Sequence, residues 1–178
     1  MKRNKLIFII FIIFIIFIIS IILTIALTGC TKSGVVTTNG NKQVTKQMDD
    51  IISDYIIKKN ATSYPDTEKQ FEVHRVYGTS ESKGIIDVYM WSYYAGFNRS
   101  TGTETQAGHS LAALIRLDKR GDTYSVVGYQ EPEDGTGYQS SLEEMFPKKY
   151  VKKAIQDVGE INDLQEAMEK KVSIWLEG

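Results

Sequence analysis

The chain has 178 residues, 42% of them hydrophobic, with 21 Lys and Arg against 22 Asp and Glu and a formal net charge of −1. That balance leaves no basic footprint for nucleic acid, and a single cysteine, Cys30, excludes an internal disulfide framework. No HExxH, CxxC, GxSxG, Walker or GxGxxG spacing marks the chain for metal, nucleophile or nucleotide chemistry, so no metal and no cofactor is expected.

The chain opens with three positive charges, Lys2, Arg3 and Lys5, followed from Leu6 to Leu27 by Ile, Phe, Leu and Ala broken only by Ser20 and Thr24. A basic start, an apolar run and small residues before a cut predict a secretory signal peptide over residues 1–29. The run of about 22 residues could also span roughly 30 Å of hydrocarbon, so an uncleaved anchor is the alternative. Leu27-Thr28-Gly29-Cys30 then resembles the lipobox of bacterial lipoproteins. The resemblance implies cleavage before Cys30, a diacylglyceryl group on its sulfur, and a domain held by membrane lipid on the extracytoplasmic face of the cell membrane. A lone cysteine is often a small buried hydrophobe, but one that follows Gly29 at the end of an apolar run is poorly placed for a core. Cleavage would leave 149 residues with a formal net charge of −4, since residues 1–29 carry three cations and no acid. That size suits one domain with a core, and that charge gives no electrostatic pull toward anionic lipid.

Residues 30–41 read as the acylated cysteine and a polar tether, "TKSGVVTTNGN", that lifts the domain at most about 40 Å. One extracytoplasmic domain is expected over 42–178. In residues 42–60, Val44, Met48, Ile51, Ile52 and Tyr55 form one apolar stripe of an amphipathic helix. Residues 71–77, 85–94, 109–117 and 123–130 are rich in β-branched and aromatic side chains and read as four strands. "DKRGD" makes the last pair a hairpin. Between Gly96 and Gly108 lies a long polar connection of the length that often carries function.

After "EPEDG" the pattern turns helical. Ser140 or Ser141 is expected to cap a short helix, Pro147 to open the next, and Asp163 with Glu166 to form a capping box for the last. The expected class is α+β: an N-terminal helix on a four-stranded antiparallel sheet with C-terminal helices, a cystatin-like or NTF2-like shape by element order.

Few residues invite a chemical role. His74 is expected at the surface or in a satisfied polar contact. His109 opens a strand after the long connection, where binding residues often sit. Alternation puts Tyr89, Trp91 and Tyr93 on one sheet face and Met90 and Tyr94 on the other. Packing under the C-terminal helices accounts for such aromatics, but an uncovered face would bind partners through Trp91 or Tyr94. The acids Glu131, Glu133 and Asp134 lack calcium-loop spacing and read as a solvated turn.

"HRVYGT", "VYMWSYY" and "YSVVGYQEPEDGTGYQSSLEEMFPKKY" together resemble, over residues 70–155, an extracytoplasmic domain of Gram-positive bacteria. That domain occurs in uncharacterised lipoproteins and in antirepressor-type membrane metallopeptidase sensors. The metallopeptidase's zinc motif is absent, so the resemblance implies a sensor or interaction module and no protease activity. The leading reading is a non-enzymatic envelope module that binds a small ligand or another envelope protein through Trp91, Tyr94 or His109. The alternatives are a small envelope hydrolase using His109 with an acid such as Glu131, and a structural or immunity-type envelope protein.

Overall fold

The computed structural model describes Val35, Val36 and residues 44–178; the leader and Cys30 lie outside the described residues. Within the segment expected to be a plain tether, β1 (Val35–Val36) pairs antiparallel with β2 (Val44–Thr45). Thr45 then caps α1 (Lys46–Asn60), its Oγ1 accepting the Met48 N–H at 3.2 Å. The helix thus starts later than its apolar stripe, because Val44 belongs to the strand before the cap.

Four strands follow as an antiparallel meander: β3 (Lys69–Ser82), β4 (Ile85–Phe97), β5 (Ala107–Arg120) and β6 (Thr123–Gln130). Each of the first three outruns its predicted bounds. Pairing of Gly96 with Ala107 and of Ala95 with Gly108 absorbs both glycines into the sheet. The long connection shrinks accordingly to residues 98–106, with a 3-10 turn at Arg99–Thr101. The mixed α+β class is as expected.

Both sheet faces are covered. Ile52 and Ile56 of α1 pack with Val76, Val88, Met90, Tyr94, Ala113, Ile115 and Leu117 on one side. On the other, Val73, Tyr77, Tyr89, Trp91, Phe97 and Leu114 meet three helices, α2 (Tyr138–Met145), α3 (Lys148–Gln156) and α4 (Asn162–Glu177). Strand parity fell as the alternation required, and it buried both aromatic sets: Trp91 is 4% exposed and Tyr94 2%. Neither offers the open aromatic face that a binding role for them requires.

Two expected caps are replaced by other bonds. Ser140 and Ser141 sit inside α2, their hydroxyls donating back to the Gly137 carbonyl at 3.0 and 2.8 Å. Asp163, on the first turn of α4, gives its carboxylate to Arg75 of β3 instead of to a backbone N–H cap. Arg75 also meets Asp157 at 2.6 Å and the Glu160 carbonyl at 3.0 Å, and the Tyr77 hydroxyl donates to Asp157 at 2.8 Å. This clasp fastens the α3–α4 connection to the edge strand.

A second fastening is steric. β3 carries an irregularity between Val76 and Gly78, and at Gly78 the Tyr150 ring of α3 occupies the space a side chain would need. Tyr150 in turn packs on Tyr89 with ring centroids 5.4 Å apart. Gly78→Ala is therefore expected to lower unfolding free energy by about 1–3 kcal/mol through overpacking, measured by urea denaturation. Unchanged stability would show that Tyr150 does not rest there.

Candidate functional site

Two polar clusters lie on the α1 side of the sheet, and each contains one of the chain's two histidines. The first is sealed. Glu72 and His74 are two apart on β3, so both point at α1, where Asp49 and Ser53, four apart, present one face to them. Glu72 is 0% exposed. Its carboxylate accepts from Ser53 Oγ at 2.6 Å, from Ser92 Oγ of β4 at 2.7 Å, and faces His74 Nδ1 at 3.1 Å. His74 Nε2 lies 3.2 Å from Asp49 Oδ1, off the axis of a hydrogen bond but within ion-pair reach. From the other side of the strand, the Lys171 ammonium of α4 donates to the Glu72 backbone carbonyl at 2.8 Å.

Charge states follow from this geometry. Burial alone would push the Glu72 pKa up, but the His74 charge and the bonds from His74, Ser53 and Ser92 outweigh it, and the carboxyl titrates below its usual range. Burial would likewise pull His74 down, yet Glu72 and Asp49 outweigh both that and the opposing Lys171, holding the imidazole's pKa above its ordinary value. Of the surface and the polar contact expected for His74, the structure shows the polar contact, with the ring buried. The polar letters of Glu72 and His74 hid this, since alternation made theirs the less apolar face of the strand.

The second cluster surrounds His109. It pairs across the sheet with Tyr94 and stacks on it, ring centroids 5.5 Å apart. Tyr64, from the connection after α1, stacks on the imidazole at 5.7 Å and bonds Nδ1 through its hydroxyl at 2.7 Å. Burial lowers the His109 pKa and raises that of Tyr64. Nδ1 and the Tyr64 hydroxyl share that bond in either tautomer, and Nε2 is buried with no partner among the described residues. Trp91 is not part of this cluster; it lies across the sheet, its indole N–H donating to Ser110 at 2.5 Å.

Glu131 acts on His109 only through its charge. Its carboxylate sits 3.9 Å from Lys59, and it lines a groove of about 440 Å³ with Arg116, Glu133, Ser141 and Glu144, to which His109 does not contribute. Two further grooves open on the helical side: a polar one of about 480 Å³ around the Arg75 clasp, and one of about 640 Å³ beside Val151 and Ile155, mainly apolar. Sequence reasoning missed all three: two are assembled from elements distant in the chain, and the apolar one depends on how the consecutive helices α2 and α3 pack. Among the described residues, no group of three or more His, Cys, Asp or Glu side chains is arranged to hold a metal.

The sealed pair makes stability depend on pH. His74 titrates above its ordinary 6.5 in the fold, so its contribution is complete below pH 6.5 and is lost as pH rises through the folded value. Glu72 titrates below its ordinary 4.5, so its contribution is complete above pH 4.5 and is lost as pH falls through the folded value. His74→Leu strands a buried carboxylate and is expected to cost about 3–5 kcal/mol, whereas Glu72→Met with His74→Leu should cost less than that single change. Urea melts between pH 4 and 9 check both claims. A single change no worse than the double would contradict the ionised pair.

No family model, no curated protein and no solved structure matches this chain.

Proposed function

We propose that this chain is a lipid-anchored extracytoplasmic module that works by binding and not by catalysis. The single observation that carries the second half is the orientation of Glu72. A catalytic carboxylate must face a cavity where a substrate can reach it. Glu72 instead turns both oxygens inward onto Ser53, Ser92 and His74, with no solvent contact. The first half rests on the sequence: the basic start, the long apolar run and Leu27-Thr28-Gly29-Cys30. Because Trp91 and Tyr94 are core side chains, the binding surface in this reading lies on the outer grooves of the helical layer, and the partner is an envelope protein or a small ligand.

The anchor is tested first. Two acyl chains hold a protein stably at a membrane where one holds it only marginally, each buried methylene contributing about 0.8 kcal/mol. Metabolic labelling with a fatty-acid analogue should tag the wild type and not Cys30→Ala, and the wild-type N-terminus should map to Cys30. A wild-type chain that keeps its leader would favour the uncleaved anchor.

A second reading, a small envelope hydrolase, draws on the unpartnered Nε2 of His109. Against it stand the bond that occupies Nδ1 and the absence of His109 from the groove that Glu131 lines. Removing a general base costs about 10²–10⁴ in rate. Incubation of the purified protein with isolated cell-envelope material should release no product from wild type or from His109→Ala. Product from wild type alone would establish the hydrolase.

A further inference from the structure

The strongest unexplained feature is the outer face of α3. Its sequence, "KKYVKKAIQ", buries Tyr150, Val151 and Ala154 and leaves Lys148, Lys149, Lys152 and Lys153 exposed. Among the described residues, none of these four lysines lies within ion-pair distance of a carboxylate. Apolar side chains stand among and just beyond them: Ile155 is 41% exposed and Val158 58%. The apolar groove of about 640 Å³ runs along the same flank, between Lys148, Val151, Lys152, Ile155 and Glu143. Four cations without an ion-pair partner, of which Lys149 lies over the Tyr150 ring at 4.5 Å, interleaved with outward apolar groups are what an anionic lipid surface attracts, with lysine stems lying on the acyl boundary and ammonium groups among the phosphates.

We infer that the outer face of α3 rests on an anionic bilayer surface and sets the orientation of the domain. The inference uses the anchored reading proposed above, and the geometry of the fold supports it. The chain enters the domain through β1, which pairs with β2 ahead of α1, and the first turn of α1 lies over the His74–Val76 part of β3, as the Asp49–His74 contact fixes. On the opposite face, Tyr150 packs α3 onto Gly78, two residues further along. The start of α1 and α3 therefore lie over the same stretch of β3, on opposite faces of the sheet. Because β1 pairs with β2, only four residues separate Cys30 from Val35, at most about 18 Å of extended chain, and a bilayer holding Cys30 lies within that reach. Tethering raises the local concentration of that surface, so contacts too weak to recruit a free protein suffice to orient a held one. The net charge of −4 beyond Gly29 opposes approach of the domain as a whole, so the attraction is local: four lysines lie together on one helix, with Glu143 and Asp157 at its margins.

The test uses the mature, acylated protein with an environment-sensitive fluorophore at Val158→Cys, the only free thiol once Cys30 is acylated. The protein is reconstituted into vesicles of phosphatidylcholine alone or mixed with phosphatidylglycerol. Emission should shift to the blue in the anionic vesicles only, return at high salt, and be lost when Lys148, Lys149, Lys152 and Lys153 are changed to Gln. Lys149→Gln with Lys152→Gln should halve or abolish the shift and serves if the fourfold variant does not fold. A chain that floats with vesicles but shows no shift, or the same shift in both vesicle types, overturns the inference and leaves the anchor standing. A chain that does not float overturns both.

Discussion

A carboxylate with no water around it is the constraint on which the α1 side of the molecule depends. Removing an ion of this kind from water costs several kcal/mol even after relaxation, and the cost is offset only if both oxygens are well hydrogen-bonded. Glu72 is matched by Ser53 from the helix, Ser92 from the neighbouring strand and His74 from its own. Those three partners come from three elements, so the carboxylate fixes the height, the azimuth and the register of α1 over the sheet together. Displacing α1 by one turn would leave both Glu72 and His74 without their helix partners. Apolar packing by Ile52 and Ile56 supplies more of the favourable energy, but it tolerates sliding in a way that directed bonds do not.

Fixing α1 decides what is left for function. With α1 on one face and α2, α3 and α4 on the other, the large aromatics of β4 are used up in the core. Lys171 reaches round to the Glu72 carbonyl and covers an acceptor on the open edge of β3 that would otherwise invite a further strand. What remains outward is the helical layer with its grooves, the Arg75 clasp and the lysines of α3. A binding role placed there asks nothing of the core, which is why the two sets of residues can be altered separately.

The sequence made much of this legible for physical reasons. Large side chains alternating at period two left a single sensible parity for β4, and "DKRGD" could only be a tight turn, with Gly121 at φ +61°. Other features were out of reach. The extension of β4 and β5 through Gly96 and Gly108 depends on cross-strand pairing, which no local pattern reports. The role of Glu72 and the choice between surface and polar contact for His74 stayed open because burial of a charge is visible only through its partners, and those of Glu72 lie 19 or 20 residues away at Ser53 and Ser92. Asp163 looked like a cap because capping is local, whereas its actual partner, Arg75, is 88 residues distant.

The two histidines are set to titrate in opposite directions by geometry: against its burial, the His74 pKa is raised by Glu72 and Asp49, and that of His109 is lowered by burial beside Tyr64 and Tyr94. The most direct test is an NMR titration of the imidazole nitrogens in uniformly labelled protein. A midpoint above 6.5 is expected for His74, with both ring nitrogens protonated below it, and a midpoint below 6.5 for His109. A His74 ring already neutral at pH 6.5, or a reversed order of the two midpoints, would contradict this assignment.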